Sequence, residues 1–140
     1  MRRGTTPSQI GPMINERAIE KIERHVQDAV SRGARVLTGG RRLTELGANY
    51  YAPTVLVDAD ATMACACEET FGPVAPITRF DSEAEVLAAA NDTPFGLAAY
   101  FYSQDARRIW RVAEELESGI VGVNEGALSA EAGPFGGVKE

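Results

Sequence analysis

The chain has 140 residues, 44% of them hydrophobic, and a formal net charge of -6. This is enough for one domain with a buried core, and the scattered acidic balance leaves no basic stripe to follow a phosphate backbone, so nucleic acid is excluded as an expected partner. The N-terminal MRRGTTPSQIG has no apolar run behind its arginines, and no stretch reaches the ~18 apolar residues of a spanning helix, so the expectation is a soluble, cytoplasmic protein.

Asn15 is placed to cap a helix over residues 16–32, where Ala18, Ile19, Ile22, Val26, Ala29 and Val30 recur at three- and four-residue spacing and Gly33 is the stop. His25 stands beside that stripe among Glu, Lys and Arg and reads as a half-exposed surface residue without a functional part. ARVLT at 34–38 reads as a strand, followed by the turn-prone GGRRLTELGANY and a second apolar run, PTVLV at 53–57, which suggests a hairpin-like excursion. Cys65 and Cys67 are the only cysteines. A zinc site needs four ligands, so no metal site is assigned; both are expected to be small buried hydrophobes, with a reactive thiol as the alternative reading.

After CEETFGPV, residues 67–74, strand and helix alternate. APITRF at 75–80 is followed by a helix over 82–90, AAYFYS at 98–103, a helix over 105–117, and IVGV at 120–123. Ser82 with Glu85 forms a capping box and Gly119 closes the second helix. The β-α-β-α-β order predicts an α/β fold of mostly parallel strands with right-handed crossovers. The apolar character of AAYFYS and IVGV predicts strands covered on both faces. Arg107, Arg108, Arg111, Glu114, Glu115 and Glu117 are expected on a solvated helix face, with Arg111 and Glu115 one turn apart.

In CEETFGPV, Gly72 and Pro73 fix a turn, Phe71 offers a flat apolar face and Glu69 lies close by. A carboxylate beside an aromatic plane suits a ribosyl ligand, because one carboxylate accepts from two vicinal hydroxyls while the ring packs on the attached heterocycle. Composition alone favours a plainer reading, with Glu68 and Glu69 in a solvated turn and Phe71 in the core. The Gly-rich GPFGGVK invites comparison with phosphate loops and an anion at Lys139, but neither the Walker spacing nor the dinucleotide fingerprint is present. Its glycines are instead expected where backbone passes close to something else.

Four segments in order, EETFGPV, NDTPFGLAAYFYSQD, SGIVGVN and PFGGVK, together resemble the aldehyde dehydrogenase superfamily. The match is to the C-terminal part of its catalytic domain, runs from IGPMIN at 10–15 to GGVKE, and is most similar to the succinate-semialdehyde dehydrogenases. The resemblance replaces the plainer reading of the loop. It implies that residues 1–140 are a partial catalytic domain of an enzyme using NAD or NADP. It implies that Glu69 holds the nicotinamide ribose hydroxyls, Phe71 packs beside the nicotinamide end, Ser129 points a hydroxyl at a substrate carboxylate, and Phe135 lines the same tunnel. Ser129-Ala130 stands where semialdehyde enzymes often show Ser-Ser or Ser-Asn.

In such enzymes a cysteine thiolate attacks the aldehyde, hydride passes to the nicotinamide, and a glutamate-assisted water releases the acid. The family order places the Gly-Gln-x-Cys nucleophile motif, the general-base Glu, the dinucleotide-binding domain and the carboxylate-clamping arginines upstream of residue 1. No catalytic residue is therefore assigned here, and the chain alone is expected to be inactive. The resemblance implies an aldehyde substrate, with succinic semialdehyde the one expected, and as partners the upstream part of the enzyme and further subunits of a homo-oligomer. The rival expectations are a non-catalytic binding or assembly module from a split or degraded gene, and an incomplete reading frame.

Overall fold

Asn15 caps the first helix as its sequence position leads one to expect: its side chain accepts from the Ala18 amide at 3.1 Å. Helix α1 runs Glu16–Ser31, two residues short of Gly33. The computed structural model describes residues 10–127, 133 and 135–139, and the chain divides into two units, Met1–Arg79 and Phe80–Glu140.

In the first unit α1 is followed by β1 (Arg35–Thr38), β2 (Thr54–Val57), the short α2 (Ala64–Cys67) and β3 (Val74–Ile77). The sheet order is β1-β2-β3. β1 runs antiparallel to β2, as the hairpin-like excursion suggested, and β2 runs parallel to β3. The excursion is tied down on α1, where Arg42 meets Glu16 at 2.5 Å and both oxygens of Glu23 at 2.7 Å. The apolar stripe of α1 packs on Leu56 of β2 and on Met63 and Cys65 at α2. Helix α2 has no periodic signal in the sequence, because a single turn is too short to show one.

The second unit contains α3 (Glu83–Asn91), β4 (Ala98–Phe101), α4 (Ala106–Glu115) and β5 (Ile120–Val123). β4 and β5 pair in parallel with α4 as the crossover between them. Ser82 caps α3 by accepting from the Glu85 amide at 3.2 Å, while the Glu85 carboxylate reaches back to the Asp81 amide at 2.8 Å. The charged residues of α4 lie on a solvated face as expected, and Arg108 and Arg111 both pair with Glu83 of α3. One expectation is corrected here: among the described residues β4 and β5 are not covered on both faces, since Tyr100 is exposed and only Gly122 of β5 is buried.

Among the described residues, no helix is long and apolar enough to cross a membrane.

Candidate functional site

Helix α1 carries Lys21, Ile22, Arg24 and His25 on neighbouring turns, and these four side chains grip the loop 68–72 almost residue by residue. Arg24 donates to both oxygens of Glu68, at 3.1 and 2.7 Å. Lys21 Nζ donates to the backbone carbonyl of Glu69 at 2.5 Å. His25 Nδ1 lies 3.0 Å from Thr70 Oγ1, and its Nε2 lies 3.3 Å from Glu68 Oε2. Gly72 sits directly over Ile22, so close that an added Cβ would come within 2.5 Å of the Ile22 Cδ1. Glycine is required there by close approach to the core.

The residue not gripped is Phe71. Its φ is +50°, in the left-handed region that a bulky side chain avoids. The residue is 78% exposed. Strain of this kind, roughly 1–3 kcal/mol, persists only where the neighbours over-determine the backbone. Here Thr70 is fixed by His25 on one side and Gly72 by Ile22 on the other, so the chain between them is obliged to turn the aromatic ring outward. The expectation from composition, that Phe71 is ordinary core, is thereby excluded.

The loop also separates its two glutamates. Glu68 is a structural residue whose carboxyl is held down at about 2, first by the hydrogen bonds from Arg24 and then by that from His25. The Glu69 carboxylate is exposed, and among the described residues no side chain pairs with it. An unpaired carboxylate and an exposed aromatic ring, two positions apart on a clamped loop, form a surface able to accept vicinal hydroxyls and to pack a flat ring.

His25, expected to be half exposed, is completely buried. Its position, three after Ile22 and four before Ala29, puts it on the buried stripe, so spacing outweighs residue type at this place. The cysteines divide. Cys65 is buried as expected, and burial pushes its thiol up, away from the thiolate a nucleophile needs. Cys67 is exposed, against expectation, because it ends the single turn of α2, and its Sγ lies 3.1 Å from the Ala61 carbonyl. Among the described residues no three His, Cys, Asp or Glu side chains gather to hold a metal.

In the second unit the backbone of GPFGGVK passes close to Gly96 and Gly119, but of its own glycines only Gly137 is tight, with a Cβ 3.3 Å from the Gly96 carbonyl, while Gly133 and Gly136 have open space there, against expectation. Gly119 and Val138 both donate to the Gly96 carbonyl, at 2.8 and 3.1 Å, and a Cβ on Gly119 would collide with the Gly136 carbonyl. Lys139 is used within the fold. It donates to the carbonyls of Asn91 and Thr93, at 2.5 and 3.3 Å, where α3 ends, and meets Glu117 at 2.7 Å.

The C-terminal ends of the parallel pair β4 and β5 are tied by Asn124, which accepts from the Ser103 amide at 2.9 Å and donates to the Ser103 carbonyl at 2.7 Å. The segment leading to residue 129 leaves from this end, the end at which α/β sheets bind ligands. Ser129 lies outside the described residues. Phe135 is exposed. Glu69 and Phe71 thus share one loop of the first unit, while Phe135 belongs to the second.

Residues 3–140 match the model of the aldehyde dehydrogenase family. The mitochondrial succinate-semialdehyde dehydrogenase of Homo sapiens is 57% identical over 137 residues, covering 98% of this chain and 25% of that protein. The succinate-semialdehyde dehydrogenase [NADP(+)] of Escherichia coli is 55% identical over 130 residues, covering 93% of this chain and 27% of that protein. Among solved structures, succinate-semialdehyde dehydrogenase from Burkholderia pseudomallei superposes with a TM-score of 0.91 at 55% identity, covering 94% of this chain and 27% of that one. The chain spans 25% to 27% of the length of these relatives.

Proposed function

The chain belongs to the aldehyde dehydrogenase family, and from that membership we propose that it forms one wall of the cofactor and substrate site of an NAD(P)-dependent enzyme oxidising succinic semialdehyde to its acid. The observation that carries this reading is the loop 68–72, which leaves the Glu69 carboxylate unpaired among the described residues and turns Phe71 outward at φ +50°. A loop serving only to connect α2 to β3 has no use for that strain.

In this reading Glu69 accepts hydrogen bonds from the two hydroxyls of the nicotinamide ribose, and Phe71 packs beside the nicotinamide end and limits how far the ring can swing. NAD or NADP, when bound, supplies the hydride acceptor. Both nucleotides suit these two residues, which meet only the end they share. Ser129 donates from its hydroxyl to the carboxylate of the semialdehyde, a contact that suits an anionic tail and would be wasted on an alkyl aldehyde. Phe135 lines the approach.

The attack on the aldehyde belongs to the rest of the enzyme. Cys65 is buried with its thiol pushed up, and Cys67 is engaged with Ala61 O, so neither takes the part of a nucleophile. The further partners proposed are the upstream part of the enzyme and sister subunits.

The test compares the purified chain with a full-length enzyme into which residues 10–139 are grafted in place of the matching part of the Escherichia coli relative. The graft should reduce NAD or NADP with succinic semialdehyde. The chain alone should not rise above a blank. Reduction by the chain alone, abolished by Cys65→Ala or Cys67→Ala, would overturn the reading.

A further inference from the structure

His25 is the one side chain of the α1 stripe that is both wholly buried and polar. Its neighbours Ile22 and Val26 show that the core at this level is filled by hydrocarbon, so packing does not call for an imidazole. What the ring adds is its pair of nitrogens. Nδ1 is 3.0 Å from Thr70 Oγ1, and Nε2, which must carry the proton to meet a carboxylate, is 3.3 Å from Glu68 Oε2. A buried polar ring is costly unless such partners are present. Both loop partners flank a single residue, Glu69.

We infer that His25 is a positioning residue for the nicotinamide-ribose site: its ring fixes Glu68 and Thr70 together, and so sets the direction of the Glu69 carboxylate and the outward turn of Phe71. This rests on the reading of Glu69 given above.

The mechanics follow from how few freedoms the ring has. An imidazole has two side-chain torsions, and here it is enclosed by the core of the first unit, so it acts as a fixed strut. Lys21 also reaches the loop, through the Glu69 carbonyl, but it does so from the surface on a long flexible stem. With the strut removed, Thr70 is free to rotate. The backbone between Thr70 and Gly72 can then leave the left-handed region, and Phe71 and Glu69 turn away from their present directions. A displacement of about 1 Å in a cofactor-orienting group costs up to roughly a hundredfold in rate.

The experiment uses the same grafted full-length enzyme and measures single-turnover hydride transfer, the KM for succinic semialdehyde and the melting temperature. The variants are Glu69→Gln, Thr70→Val, His25→Leu, His25→Asn and the pair Thr70→Val with Glu69→Gln. Thr70→Val is nearly isosteric and sits in the loop, so it carries the test should His25→Leu fail to fold. Thr70→Val should slow hydride transfer about tenfold or more, leaving the aldehyde KM within about twofold. His25→Asn, which keeps a polar atom near the place of Nδ1, should recover most of the rate that His25→Leu loses. The pair should lose clearly less than the product of the two single losses, because both changes act through the same carboxylate and only Phe71 is left for the strut to aim.

A Thr70→Val enzyme with the parent's hydride rate would overturn the inference, and so would losses in the pair that simply multiply. If Glu69→Gln itself transfers hydride at the parent's rate, the cofactor reading falls, and the positioning role falls with it. A slow Glu69→Gln beside a normal Thr70→Val overturns the positioning role alone.

Discussion

Arg24 meets Glu68 head-on, with Nη1 on Oε1 at 3.1 Å and Nη2 on Oε2 at 2.7 Å, and this pairing is what leaves Glu69 the available carboxylate of the loop. Two adjacent glutamates look equivalent in sequence. In the fold one is neutralised by the helix beneath it and the other is presented to solvent. The pairing also predicts how the structure responds to acid. The Glu68 carboxyl lies at about 2, against an ordinary value of 4.5. A carboxyl lowered on folding contributes stability that is complete above its unfolded value and is lost as pH falls through its folded value. The melting temperature should therefore decline between pH 4.5 and about 2. Glu68→Gln should melt lower at neutral pH and show a shallower decline across that window. Glu23, Asp28 and Glu83 are also lowered and keep some slope in the variant. An acid limb parallel to the parent's would mean that the ion pair does not act in solution.

Phe71 holds a conformation that favours glycine and buries little of its ring. Phe71→Gly removes backbone strain of about 1 kcal/mol or more, part of which is offset by the extra freedom glycine gains on unfolding. The grafted enzyme should accordingly melt at the parent's temperature or a few degrees above it, while hydride transfer slows. Calorimetry with single-turnover kinetics separates the two effects. A large fall in melting temperature would show that the ring is packed, contrary to its exposure here.

Ser129→Ala should discriminate between substrates. A hydrogen bond to a charged group contributes about 1.5–3 kcal/mol, so kcat/KM for succinic semialdehyde should fall roughly ten- to a hundredfold. An uncharged aldehyde of the same length should lose much less. Equal losses for both would remove the carboxylate-binding role.

The isolated chain should associate. Tyr102 and Trp110 are each 71% exposed, and Phe95, Leu97 and Tyr100 are exposed in the same second unit, where Leu87 and Val112 are the only buried apolar side chains among the described residues. Apolar surface on this scale favours self-association. Light scattering should show species larger than one chain, and a hydrophobic dye should bind. A sharply melting monomer that binds no dye would favour a stand-alone module over part of a larger enzyme.

Features that depend on near neighbours are legible in the sequence. Asn15, Ser82 and Glu85 cap as their spacing indicates, and the helices of the βαβ run start and stop within a few residues of expectation, because capping and periodicity are local. The Gly-rich end is legible only in part: Gly137 comes close to the Gly96 carbonyl, whereas Gly133 and Gly136 have room for a Cβ. Apolar runs overstate the strands: AAYFYS keeps only Ala98–Phe101 in the ladder, as the ladder ends where β5 does. Long-range partnership is not legible. Nothing local tells Glu68 from Glu69, because the difference lies in Arg24 and His25, more than 40 residues earlier in the chain. The burial of His25 follows from its place on the stripe, and its polarity obscures that.

The most direct measurement is the hydride-transfer rate of Glu69→Gln in the grafted full-length enzyme, taken in a single turnover with saturating NADP and succinic semialdehyde. Gln keeps the size of the side chain and removes the charge that accepts from both ribose hydroxyls. The structure predicts a rate about a hundredfold below the parent's, with the melting temperature unchanged because the Glu69 carboxylate is paired with no side chain among the described residues. A hydride step at the parent's rate would contradict the assignment of this loop to the nicotinamide site.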